Sequence, residues 1–290
     1  MKPAPFSHLL PAVRAQAELD VEARINCLWG NRWIDYPRAN QALQELDRLF
    51  ALPRRERMPC MLLHGDSNIG KTQIIAKFRR HHPDTFDAKR GVEIRPTIAM
   101  QMPPTPDQHR FYSGLLFEVG APHNPAASVT VLERLARDLL RRMAPRMFII
   151  DEVHHLLAGS YREQRASLNL LKFLANDLQA SMVLVGTHDA VIALQTDAQM
   201  VSRFKPFEVP RWQESDGFRR LLAAFERVLP LRLPSELAQR DIAQYVLATS
   251  GGLTGEISRI INAAAELAIR SGHEAIRLEH LKDVTSTSAG

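Results

Sequence analysis

The stretch Met58-Pro-Cys-Met-Leu-Leu-His-Gly-Asp-Ser-Asn-Ile-Gly-Lys-Thr72 decides how the rest of the chain is read. Cys60–His64 is a short apolar run that stops at a glycine, the pattern of a strand buried on both faces of a parallel sheet. Gly65-Asp66-Ser67-Asn68-Ile69-Gly70-Lys71-Thr72 then fills every fixed position of G-x-x-x-x-G-K-[ST]. Glycines let the backbone wrap around phosphate oxygens, and the helix expected over Lys71–His81 turns its N-terminus toward the anion. Lys71 is expected to bridge the β- and γ-phosphates, and the Thr72 hydroxyl to reach Mg²⁺. ATP with magnesium is therefore the expected ligand.

Working outward, Pro37 opens a helical pattern carried by Ala39, Ala42, Leu43, Leu46, Leu49 and Phe50, ended by Pro53. Residues 1–36 read as an arm with one or two short helices, in which Ile34 and Tyr36 are candidates for closing over the adenine. Downstream, a second strand is expected over 92–100. Pro103, Pro104 and Pro106 make a stiff loop, and Asp107 can cap a helix running to Val119. An amphipathic stripe marks a helix over 131–142. Strands follow at 147–150 and 182–185, with a shorter fifth at 204–209. Leu168, Leu171, Ala175 and Leu178 mark the helix between the third and fourth. From Trp212 the pattern is helical only. Strands alternating with helices, followed by helices alone, predict an α/β protein with a parallel sheet and a helical lid. The expected division is an arm over 1–36, an α/β core over 37–210 and a lid over 211–290.

Asp151 and Glu152 follow the apolar run Met147-Phe-Ile-Ile150. A buried strand would deliver Asp151 to the magnesium water shell, and Glu152 could polarise the attacking water as general base. Thr187 ends the fourth strand, where ligands bind in open α/β sheets, and could orient that water. His154 and His155 invite a metal reading, but adjacent positions on one helix point in different directions, so a shared ion is a poor fit. Two small basic clusters are candidates for DNA contact: Arg162 and Arg165 in a loop, and Lys89 with Arg90 before the second strand.

Composition bounds these expectations. The chain has 290 residues with 45% apolar and 24% charged, enough for a full core. A formal charge of +5 favours acidic partners such as nucleic acid through phosphate contacts. Two cysteines, Cys27 and Cys60, without zinc spacing fit a reducing cytoplasm. No signal peptide is expected, and no segment approaches the ~18 apolar residues of a membrane span.

Taken together, Trp33-Ile-Asp-Tyr-Pro37, Met58–Thr72, Phe148-Ile-Ile-Asp-Glu-Val-His-His155, Leu170-Leu-Lys-Phe-Leu-Ala-Asn176 and Leu184-Val-Gly-Thr187 resemble the AAA+ superfamily, most closely the TniB family of transposition ATP-binding proteins. The resemblance spans residues 10–285. It implies an AAA+ P-loop NTPase with a five-stranded parallel sheet, a C-terminal helical lid and an N-terminal helical arm. It also implies a magnesium-dependent ATPase that needs oligomerisation and is stimulated by DNA. Such proteins are similar to TnsC-type regulators carried on mobile elements. They bind double-stranded DNA nonspecifically, assemble as homo-oligomeric rings or helical filaments, and recruit a DDE transposase and a target-selection protein. In that arrangement Arg203, in Val201-Ser-Arg-Phe204, reaches a neighbour's γ-phosphate, and Arg259, in Gly255-Glu-Ile-Ser-Arg259, contacts the γ-phosphate from the lid. The lid departs from the tighter Gly-x-x-Arg spacing of other AAA+ groups. The alternative is a helicase-loader ATPase acting on a protein partner; an initiator's extra DNA-binding domain finds no room after the last expected helix, 278–284.

Overall fold

The computed structural model describes residues 6–89 and 91–287. They divide into two compact units: one holds Gln41–Ser67 and Lys71–Val209, the other the chain up to Asn40, Asn68–Gly70 and the stretch from Pro210.

The first unit is built on strands β1 (Cys60–His64), β2 (Thr85–Asp87), β3 (Val92–Ile94), β4 (Thr97–Gln101), β5 (Met147–Asp151), β6 (Ser181–Gly186) and β7 (Phe204–Glu208). Five of them form one sheet in the order β4-β5-β6-β1-β7, and every neighbouring pair is parallel. β1 and β6 are buried along their whole length and β5 at all but its last residue, because helices cover both faces. β7 lies at an edge, which is why Pro206, a residue with no N–H to give to a ladder, is tolerated inside it. The core joins Leu62, Ile98, Phe148, Ile150, Met182 and Leu184 of the strands to Leu115, Leu140 and Leu171 of the covering helices.

The single strand expected over 92–100 is two. β3 pairs antiparallel with β2 in a hairpin, while β4 joins the main sheet. Arg95 and Pro96 separate them: proline cannot donate to a ladder, and its carbonyl instead accepts from Arg146 N at 2.9 Å and Met147 N at 3.2 Å. Asp107 caps helix Gln108–Glu118 through Arg110 N, as its position predicted. The helix expected around Leu168 starts a full turn or more earlier, at Tyr161, where Ser160 and Glu163 form a reciprocal capping box.

The second unit is helical. Pro11–Ala17 and Val21–Trp29 belong with Asp216–Glu226, Arg240–Ser250, Thr254–Arg270 and Leu278–Thr287. Arg24 joins them: it is 1% exposed, its guanidinium grips Glu274 at 2.6 and 2.8 Å, and it donates a third bond to Pro230 O. Arg32 adds bonds to Asn262 Oδ1 and Val228 O. The N-terminal segment is thus an integral layer of the helical unit. No helix among the described residues is long and apolar enough to cross a membrane.

Candidate nucleotide site

Parallel strands leave their C-terminal ends on one side of the sheet, and β5, β6 and β1 are adjacent. The residues just beyond these three strands therefore converge. After β1 comes the loop Gly65–Gly70, which the sequence marks as a candidate phosphate loop. Gly70 has φ +101°, a conformation that side chains resist, and Asn68 takes φ +63°, which asparagine tolerates. Lys71 is 9% exposed and donates to Gly65 O at 2.9 Å and Asp66 O at 2.8 Å, so its ammonium is folded back onto the loop it serves. Burial lowers its pKa, opposed by Asp151, Glu152 and Asp66.

After β5, Asp151 stands with Oδ2 3.3 Å from the Thr72 hydroxyl. Burial raises its pKa; the Glu152 amide, which donates to its Oδ1 at 2.8 Å, pulls the other way. Two oxygen donors, one a half-buried carboxylate, suit a hard cation such as Mg²⁺. Glu152 sits at φ +57°, ψ +35°, a left-handed position rare outside glycine. It opens a 3₁₀ turn, Val153–Ala158, in which His154 Nδ1 lies 3.2 Å from Glu152 Oε2 and His155 donates from Nδ1 to Met102 O at 3.1 Å. The two imidazoles sit side by side, 4.9 Å between centroids. The expectation that adjacent histidines diverge is not met here: the two rings lie side by side, with ligand atoms of both within 4.8 Å of a Glu152 carboxylate oxygen.

After β6, Thr187 begins helix His188–Gln195 without using its side chain as a cap, and its hydroxyl is shielded from solvent with no partner. Gly186 is required by close packing: a Cβ there would stand 2.8 Å from Ala190 Cβ and 3.1 Å from Val153 Cγ1.

Arg203 is placed elsewhere. It ends helix Ala198–Arg203, immediately before β7, whose first residue pairs with Cys60. It therefore lies at the end of the sheet opposite the phosphate loop, with the length of β1, about 13 Å, between. It is 8% exposed, its Nε and Nη2 have no partner, and it lines a polar cavity of about 740 Å³ with Arg57, Lys172 and Asn176.

In the helical unit, Tyr36 is buried edge-on to Trp212, 5.3 Å between centroids, and burial pushes its hydroxyl up to about 12. A Cβ on Gly70 would stand 3.7 Å from that hydroxyl. Ile34 is half-buried. Asn68 Nδ2 donates to Glu256 Oε1 at 2.8 Å, Gly255 N donates to Asn68 O at 2.9 Å, and Arg259 Nε pairs with Glu256 Oε2 at 2.8 Å. Glu256 had no marker in the sequence beyond its place in the motif that holds Arg259.

Of the basic clusters, Arg162 and Arg165 are exposed on the first turn of helix Tyr161–Asp177 rather than in a loop, and Arg165 donates to the Tyr161 hydroxyl. Lys89 is exposed at the tip of the β2–β3 hairpin, its amide bonded to Asp87 Oδ1. Arg90 lies outside the described residues.

The fold is shared with the AAA+ ATPases ORC and Cdc6. Cdc6p from Pyrobaculum aerophilum is similar at 16% identity with a TM-score of 0.64, over 91% of this chain and 70% of that one. The Aeropyrum pernix ORC1 protein, solved in complex with DNA, is similar at 20% identity with a TM-score of 0.63, over 91% and 69%. The Aeropyrum pernix ORC2 protein, solved in ADPNP–ADP complexes, is similar at 14% identity with a TM-score of 0.61, over 90% and 71%. No curated protein sequence matches the chain. The family described as "Bacterial TniB protein" matches over residues 24–214, two thirds of the chain, and the protein belongs to it.

Proposed function

We propose that this protein is a magnesium-dependent ATPase that assembles on duplex DNA and regulates transposition. The observation that carries the ATPase reading is the convergence of Lys71, Thr72, Asp151, Glu152 and Thr187 behind three adjacent parallel strands. Lys71 exchanges its two carbonyl acceptors for β- and γ-phosphate oxygens. Thr72 and Asp151 hold Mg²⁺, which when bound neutralises charge on the phosphates. Glu152 accepts a proton from the attacking water, and Thr187 gives that water or the γ-phosphate the hydrogen bond that its hydroxyl lacks. Arg259 is proposed as a γ-phosphate contact that must first leave Glu256.

Arg203 cannot serve its own phosphate loop from the far end of the sheet, so its proposed role is in a neighbouring copy, where a guanidinium stabilises developing charge. That role requires a homo-oligomer. The DNA reading rests on the family, on the net charge of +5 and on relatives solved with DNA. The proposed contacts are Arg162, Arg165, Lys89 and Arg90, and the proposed partners are a DDE transposase and a target-selection protein in a cytoplasmic setting.

Sedimentation of the purified protein with and without duplex DNA, in ATP, ADP and no nucleotide, tests the proposal. Large assemblies that need both ATP and DNA, on duplexes of unrelated sequence, are expected. ATP binding without DNA-dependent assembly would overturn the DNA reading and turn the search toward a loader-type protein partner.

A further inference from the structure

Glu152, His154 and His155 each offer one ligand atom, and those atoms all lie within 4.8 Å of one another. Two donors bonded to one tetrahedral zinc at ~2.0–2.1 Å stand about 3.3 Å apart. The 3.2 Å between Glu152 Oε2 and His154 Nδ1 matches that spacing. The same pair lacks hydrogen-bond alignment, and Nδ1 is shielded from solvent with no partner. His155 donates from Nδ1 to Met102 O, which leaves the ring's lone pair on Nε2. A backbone carbonyl behind one ring nitrogen is the usual support for a histidine that ligates through the other.

A second group, His273, Glu279 and His280, has similar spacing but opposite chemistry. His280 Nδ1 accepts the Arg277 N–H at 3.0 Å, so its Nε2 carries the proton and donates to His273 Nδ1 at 3.0 Å. Both ring nitrogens of His280 are thus already used. The turn after β5 has no such conflict.

We infer that Glu152, His154 and His155 form a binding site for a zinc-class transition ion, separate from the magnesium ligands Thr72 and Asp151. Imidazole donors select zinc, cobalt or nickel over magnesium, which takes oxygen ligands. The ion occupies the carboxylate that serves as general base, so binding switches hydrolysis off; this consequence, though not the site itself, rests on the ATPase reading above.

The test uses the full-length, nucleotide-free protein and cobalt(II), whose visible absorption reports tetrahedral nitrogen and oxygen ligation. About one equivalent is expected to bind with visible bands, and zinc is expected to displace it. His154→Ala and His155→Ala should each weaken binding at least ~tenfold, with unchanged circular dichroism, while Asp151→Asn keeps the bands. In excess magnesium, micromolar zinc should inhibit wild-type turnover and spare that of His155→Ala. Absence of cobalt bands, or bands that survive His155→Ala, would overturn the site. Cobalt binding in a protein that never hydrolyses ATP would leave the site standing and remove the ATPase reading.

Discussion

Thr187→Val separates stability from function at one atom. The Thr187 hydroxyl is buried without a partner, and an unsatisfied buried hydroxyl costs about 1–3 kcal/mol. Valine keeps the shape of threonine and removes the oxygen. No capping bond is lost, because the side chain makes none at the start of helix His188–Gln195. The variant should therefore gain about 1–2 kcal/mol, which for a chain of this size raises Tm by roughly 2–8 °C. Turnover should move the other way. A hydrogen bond to a charged group contributes about 1.5–3 kcal/mol, so its loss in the transition state slows hydrolysis roughly ten- to hundredfold. The two measurements are a thermal melt of the nucleotide-free protein and steady-state ATP turnover. A variant that melts at or below the wild-type temperature would show that the hydroxyl is satisfied. Unchanged turnover would remove Thr187 from the reacting phosphate.

Glu152→Gln should keep ATP bound while turnover falls about 10²- to 10⁴-fold, measured by nucleotide binding beside single-turnover hydrolysis. Arg203→Ala should lose about 10³-fold or more in turnover. Mixing it with Lys71→Ala should restore activity that neither has alone; a silent mixture would place Arg203 outside any shared site. Arg24→Met should destabilise the helical unit by about 3–5 kcal/mol in urea, since it strands the Glu274 carboxylate. Arg24, the main opponent of the burial that would raise it, holds the Glu274 pKa below its usual value. The pair's stability is therefore present above the unfolded glutamate pKa and lost as pH falls through the lower folded one, so the urea midpoint of wild type, not of Arg24→Met, should drop there. Gly255→Ala should raise the KM for ATP, because the new Cβ would collide with the Asn68 amide; an unchanged KM would detach that contact from nucleotide binding.

What could be read from sequence depends on how local its physical cause is. The turn between β1 and helix Lys71–His81 was legible because a tight turn with a positive-φ glycine and a helix N-terminus each demand particular residues at fixed spacing. β1, β5 and β6 were legible because strands covered on both faces are apolar throughout. The break at Pro96 was hidden inside an apolar stretch, although proline's missing N–H was the available signal. The start of helix Tyr161–Asp177 is written in Ser160-x-x-Glu163, a polar signal that stands ahead of the more conspicuous apolar stripe. Arg24 could not be found this way. An arginine in a short amphipathic helix looks solvated until Glu274, 250 positions away, is placed against it.

The acidic pair after β5 poses a problem that its spacing alone does not solve. Successive side chains of a strand point to opposite faces, so Asp151 and Glu152 in one continuous strand could not share the single site proposed for them. The left-handed backbone at Glu152 breaks that alternation at the residue where it must break. Such a conformation costs a non-glycine residue about 1–2 kcal/mol. Packing of the next residue offsets the cost: Val153 is fully buried against Gly186, which has no Cβ to keep the turn away. A glycine at 152 would take the same backbone without strain but would carry no carboxylate. The strain and the close packing at Gly186 are therefore one arrangement, and His154 and His155 stand within reach of the same carboxylate.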